Sequence, residues 1–311
     1  MHKICSAVIV VLLIFSFKSQ AQQENIIEIE SQLKALASDE MQGRETGTEG
    51  IEKASKYISG FFKKENIKPY YESYIDTFYL KDKKPAYNVI AYIEGTESYL
   101  NQNPVIIGAH YDHIGIRKAI DGDSIANGAN DNASGTVGVM QLAKRLKESK
   151  PKRPIIFVLF DAEEKGLLGS TYLAEKLKSE DVIPYVVINL EMIGVPMNGK
   201  PGQAYITGYK KSNFVEYFNE YANQEVLIFS SASKQYQLFK RSDNWPFYKS
   251  FEIPAHSFST FDFSNYEYYH HVDDEAALMN PEHMNTLIDS WVEPISKIAN
   301  HSDNTIKMTN E

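Results

Sequence analysis

Apolar positions along this chain follow two rhythms. Residues 26 to 38 and 51 to 65 repeat at helical spacing, with Ile29, Leu33 and Leu36 on one face and Ala54, Tyr57, Ile58, Phe61 and Phe62 on the next. Residues 70 to 79 and 87 to 93 have the composition of two paired strands. Beyond them come four near-continuous apolar runs, Val105 to Ala109, Ile155 to Phe160, Val186 to Leu190 and Ile253 to Phe258. A strand that reads apolar at every position, instead of every second one, is covered on both faces, as in a largely parallel sheet. Ser134 to Lys147 and Ser170 to Lys178 read as covering helices, with Ser134 and Ser170 as their N-caps. The pattern predicts one α/β domain with three layers, α/β/α, around a mixed, largely parallel sheet.

In such a sheet ligands bind beyond the carboxyl ends of the strands, so the residues that follow each run carry the chemistry. His110-Tyr111-Asp112-His113 follows the first run, Asp161-Ala162-Glu163-Glu164 the second and Glu191 the third; His270-His271 follows the fourth at greater distance. Four strand ends therefore bring imidazoles or carboxylates to one rim.

Composition narrows the partners. The 311 residues carry a net charge of −9, which disfavours nucleic acid. No repeat or low-complexity linker marks a second domain, and no long insertion separates the strands. At the start, Lys3 precedes an apolar run from Ile4 to Phe17, followed by Lys18-Ser19-Gln20-Ala21. This is the pattern of a secretory leader cut after Ala21, and the run is shorter than the roughly 20 residues that span a bilayer. Residues 1–21 are thus expected to be a signal peptide and 22–311 an exported domain, periplasmic or secreted, with no stable membrane anchor. The single cysteine, Cys5, lies in the leader, so the mature chain is expected to hold no disulfide.

Imidazole nitrogen combined with carboxylate oxygen suits zinc. Two histidines and three carboxylates suffice for two ions if one carboxylate bridges them. Asp131, in Gly128-Ala129-Asn130-Asp131-Asn132-Ala133-Ser134-Gly135, is placed to bridge, with Asn130 and Asn132 to fix it; taken alone the segment also reads as an ordinary Asn/Gly turn. Glu163 and Glu164 repel each other unless a cation separates their roles, one as ligand and one as general base; alone they also read as partners of a helix dipole. The aromatic residues from Phe258 to Tyr269 fit either core packing or an apolar specificity pocket.

Together these segments resemble the zinc aminopeptidases, a family that includes glutamate carboxypeptidases and glutaminyl cyclases. The resemblance rests on GAHYDH (108–113), NGANDNASG (127–135), DAEEKGLLGS (161–170), INLEMIG (188–194) and YYHHVDD (268–274) in order, with LASDEMQGRETGTEG (36–50) and RSDNWPFYKSFEIPA (241–255) as further matches. It implies a two-zinc exopeptidase similar to secreted bacterial leucyl aminopeptidases. His110 and Glu191 would complete one metal, Glu164 and His270 the other, and Asp131 would bridge. Glu163 would be the base, and Asp112 would orient His110. Tyr269-His270 followed by Asp273 matches the family's Tyr-His-x-x-Asp, which favours His270 over His271.

Two positions depart from the family pattern: Glu191 replaces the usual aspartate of the aminopeptidases, and Asn244 replaces the histidine of Ser-Asp-His. The first leaves open whether the amino or the carboxyl end is cleaved; the second implies a changed neighbour near the pocket. The resemblance also admits a carboxypeptidase, a dipeptidase, a single-zinc glutaminyl cyclase and a non-catalytic binding module. Tyr269 stands where cyclases carry tryptophan, and intact ligands with an intact Glu163 oppose a non-catalytic module. Residue preference, oligomeric state and the roles of His113 and His271 are left open; His256, His283 and His301 are expected to be structural or exposed.

Overall fold

The computed structural model describes residue 20 and residues 22–309. The leader apart from Gln20 lies outside the described residues. Helix α1 covers residues 22–36 and α2 covers Glu49–Lys64. Strands β1 (Lys68–Pro69), β2 (Ile75–Tyr79) and β3 (Pro85–Ile93) follow, then β4 (Val105–His110). A ribbon of β5 (Gly115–Ile120) and β6 (Asp123–Ala126) leads to α3 (Gly135–Leu146), β7 (Ile155–Phe160), α4 (Leu168–Ser179) and β8 (Val186–Glu191). The remainder is β9 (Ala204–Ile206), α5 (Phe214–Ala222), β10 (Leu227–Ile228), α6 (Ser231–Gln235), α7 (Asn244–Phe251), β11 (Ala255–Ser259) and α8 (Pro281–Ala299).

Nine strands form the main sheet among the described residues, in the order β1-β3-β7-β4-β8-β11-β9-β10, with β2 paired to β3. The centre, β7-β4-β8-β11, is parallel, while β3 joins β7 and β9 joins β11 antiparallel. The expected mixed, largely parallel sheet is therefore present. Its central strands are buried at nearly every position because both faces are covered. Along β7, Ile155, Phe157 and Leu159 pack with α1, α2, α3, α5 and α8, whereas Ile156, Val158 and Phe160 pack with α4 and α7. This gives the three layers.

Two local expectations fail. Ser134 has helical φ/ψ and caps nothing with its side chain; its hydroxyl donates to the Asn130 carbonyl and accepts the Ile193 N–H. Ser170 lies inside α4, which starts three residues after Lys165 behind Leu167 at φ +60°. Both serines follow loops whose backbone is already held by other groups, so a capping hydroxyl is not needed there.

Candidate active site

His110 is the last residue of β4, beside Phe160 at the end of β7. Its Nδ1 faces the main-chain oxygen of Asp112 at 3.1 Å, and its Nε2 faces Glu191 Oε1 at 3.0 Å and Asp131 Oδ1 at 3.4 Å. On the other side of Asp131, Oδ2 is 3.2 Å from His270 Nε2, which is also 3.0 Å from Glu164 Oε1. The five expected ligands thus converge, with one oxygen of Asp131 turned to each imidazole. His271 turns away and pairs with Asp273 at 3.4 Å.

Asp131 is held by its loop's surroundings. Asn132 donates to the Leu190 carbonyl and accepts the N–H groups of Gly135 and Met192, while Asn130 accepts the Gly194 N–H, tying the loop to the end of β8. Gly128 enters it at φ +59°, and a Cβ there would run into the His113 ring. Asp274, buried and bonded to the Tyr266 hydroxyl, accepts the N–H groups of Asn130 and Asp131. The acid that secures the loop is therefore the neighbour of Asp273, a distinction the paired aspartates do not reveal in sequence.

The carboxylate of Asp112 lies 3.6 Å from His110 Nδ1, too long for a hydrogen bond, and instead accepts the N–H groups of Glu163 and Glu164 at 3.0 and 3.2 Å. Its carbonyl orients His110, and its carboxylate fixes the backbone that presents the glutamate pair. Glu163 faces the recess, while Glu164 turns to His270. Burial pushes the Glu163 carboxyl well above the usual range, aided by Asp243, Glu191 and Glu164 and opposed by His110.

His113 is fully buried 3.3 Å from Glu164 Oε1, and neither ring nitrogen has a hydrogen-bond partner. Imidazoles and carboxylates crowd here, and His110-Asp131-Glu191 and His113-Asp131-Glu164 each bring three donor atoms within 4.8 Å. Nitrogen and oxygen donors in this ratio fit zinc. His256 and His301 are bonded elsewhere, to Ser212 and Thr207 and to two tyrosines, and His283 is buried in α8.

The two departures from the family pattern are ends of one hydrogen-bonded chain. Ser242 Oγ donates to Glu191 Oε2 at 2.5 Å and accepts from Asn189; Asn189 also donates to Ser257, which donates to Asn244 Oδ1. Asn244 is fully buried behind the site and does not line the recess, so its influence reaches the site through Ser257. Neither Ser242 nor Asn189 was singled out by type or spacing.

The recess is small, about 80 Å³, below the roughly 300–1,000 Å³ of drug-sized ligand sites. Phe261, Phe263, Tyr269, Leu238 and Tyr205 line it beside the glutamates, whereas Phe258 belongs to the core. The aromatic segment thus contributes both to the core and to the lining of the recess.

The profile of peptidase family M28 matches residues 88–293, about two thirds of the chain. The chain belongs to peptidase family M28. Among curated M28-like relatives, leucine aminopeptidase 2 of Trichophyton equinum is 33% identical over 148 residues, which is 45% of this chain and 28% of that protein. The chain thus matches under a third of that relative's length. The LapA aminopeptidase of Legionella pneumophila has the same fold, with a TM-score of 0.70 at 21% identity over 92% of this chain and 74% of that one. Porphyromonas gingivalis glutaminyl cyclase also shares it, with a TM-score of 0.63 at 15% identity over 88% and 98% of the two chains. The M28 fold therefore accommodates more than one chemistry, and the site must discriminate.

Metal-stripped protein is expected to lose stability as pH rises. Hydrogen bonds to Asp131 and Glu164 outweigh the burial that opposes protonation and push His270 up to about 10. Burial, then Asp112, raises Asp161 to about 8, and burial raises Asp243 to about 7. Each binds its proton more tightly folded than unfolded, so each contributes stability that is complete below its unfolded pKa and lost as pH passes its folded one. Above about pH 6.5, where His256 and His283, lowered to about 4 by burial, no longer act in the opposite direction, calorimetry in chelator should show melting temperature falling up to about pH 10; a flat or rising profile contradicts the assignment.

Proposed function

We propose that the chain is a two-zinc exopeptidase of the aminopeptidase type, with His110, Asp131, Glu164, Glu191 and His270 as metal ligands and Glu163 as general base. One observation carries this: the two oxygens of Asp131 face two different imidazoles, each with its own glutamate. Zinc in such a site supplies a Lewis acid that activates water and polarises the scissile carbonyl. Glu163 accepts the proton of the attacking water and delivers it to the leaving amine, a task suited to a carboxyl whose pKa burial has raised. Asp112 holds Glu163 at the backbone, and Ser242 leaves one Glu191 oxygen free for metal. The aromatic recess receives the side chain at the peptide's amino end.

Purified mature protein is expected to contain about two zinc equivalents, to lose amide hydrolysis on chelation and to regain it with zinc. Protein recovered from the host's periplasm or medium should begin at Gln22. Elemental analysis and aminoacyl-nitroanilide assays are the checks; full activity with one tightly bound ion would favour cyclase-type chemistry instead.

A further inference from the structure

Arg241 stands between two openings. It lines the aromatic recess with Glu163 and Glu191, and it lines the groove outside, where Lys178, Lys240 and Lys249 share the wall. It directly precedes Ser242, whose hydroxyl touches Glu191, so its backbone lies one residue from the proposed metal cluster. Its main-chain N–H bonds the Leu238 carbonyl at 3.0 Å. Among the described residues its exposed guanidinium has no hydrogen bond, ion pair or ring contact.

Some bases of this surface are neutralised by acids and others, like Arg241, are not. Lys165 pairs with Glu45, Lys176 with Asp76 and Lys144 with Glu28, in a chain that carries more acids than bases. Along the groove, which Glu163, Glu164 and Glu175 also line, Lys178 donates to the Ser250 carbonyl and Lys240 sits over the Trp245 ring. Of these acids, Glu164 is committed to His270. A planar guanidinium with free donors matches a carboxylate in two-point geometry, and flanking ammonium groups raise the local anion concentration.

We infer that Arg241 receives a carboxylate of the substrate, so that short peptides whose free C-terminus reaches the groove are favoured. The inference rests on the exopeptidase reading above. Each extended residue spans about 3.5 Å, so the terminus of a di- or tripeptide lies near the scissile bond while that of a long chain does not. An acidic side chain just beyond the bond offers the same group.

The test compares zinc-loaded wild type, Arg241→Gln and Arg241→Lys on Leu-Leu, Leu-Leu-amide and Leu-Asp-amide. Wild type should cleave at least one carboxylate-bearing peptide about 10- to 100-fold better in kcat/KM than Leu-Leu-amide. Arg241→Gln should abolish that advantage mainly through KM, with a smaller loss on Leu-Leu-amide, while Arg241→Lys restores part of it. An advantage for Leu-Leu assigns the chain terminus; one confined to Leu-Asp-amide assigns the side chain. Equal losses on all three substrates in Arg241→Gln, or no wild-type preference, overturn the inference. Calorimetric binding of a reduced-bond Leu-Leu analogue and its amide reads carboxylate recognition without turnover. If no substrate is cleaved yet this analogue binds in an Arg241-dependent way, the exopeptidase reading fails and the inference stands; if the analogue and its amide bind alike, the inference fails.

Discussion

Zinc-loaded Glu163→Gln is expected to retain both ions and bind substrate nearly as wild type does, yet turn over about 10²–10⁴-fold more slowly. The amide keeps the size of the side chain but cannot accept a proton from water. Glu163 makes no contact with His110 or His270 of the kind that Glu164 and Glu191 make, so its change should spare the ligand cluster. Glu164→Ala should instead lose metal and activity together. Metal content beside kcat and KM separates the two variants. Near-wild-type turnover of Glu163→Gln with both metals bound, or metal loss equal to that of Glu164→Ala, would refute the division of roles.

The second large effect is expected in the scaffold behind the site. Arg44 is completely buried, and its guanidinium donates to the carbonyl oxygens of Leu36, Tyr111, Asn127 and Gly128 at 2.6–2.8 Å. These acceptors belong to the end of α1, the segment after β4 and the loop that leads to Asp131. Burial lowers its pKa to about 10, still far enough above neutrality to keep the charge. Arg44→Met removes four charge-assisted bonds and leaves four carbonyls without that donor, so it should destabilise the fold by about 3–5 kcal/mol. Arg44→Lys should recover little, because one ammonium cannot reproduce a rigid fork. Urea denaturation measures both; a loss under about 1 kcal/mol for Arg44→Met would mean that water or other donors replace the guanidinium.

The central strands were legible because burial on both faces leaves no polar position to blur them: β4, β7 and β8 agree with the apolar runs to within one residue. The last run, read as 253–258, begins at Ala255, since Ile253 and Pro254 belong to the turn after α7. Helix α8 carries plain signals, with Asn280 as N-cap, Pro281 in the first turn and Met284, Leu287, Ile288, Trp291, Ile295 and Ile298 on one face, but it lies beyond the four apolar runs from which the sheet is read. Helix α6, five residues long, is too short for periodicity to show. At the site, residue type and strand-end position were enough to find the imidazoles and acids. Arg44, Asp274, Ser242 and Asn189 were not found as site supports, because each acts through partners distant in sequence. Arg44, for example, bonds Gly128 across 84 positions. His113 could not be placed from its spacing to His110, since its neighbours Asp131 and Glu164 come from other loops.

The Arg44 clamp also bears on when the protein acquires its metal. Residues from 44 to 274 must be in place before Asp131 has both its loop anchors and its facing imidazoles. Contacts this non-local form late, after most of the chain has collapsed. A nascent or translocating polypeptide therefore presents scattered histidines and acids instead of a chelator. If the proposed cluster binds zinc, the ion is taken up where folding finishes, so the place of folding, and not affinity alone, sets which ions compete for the site.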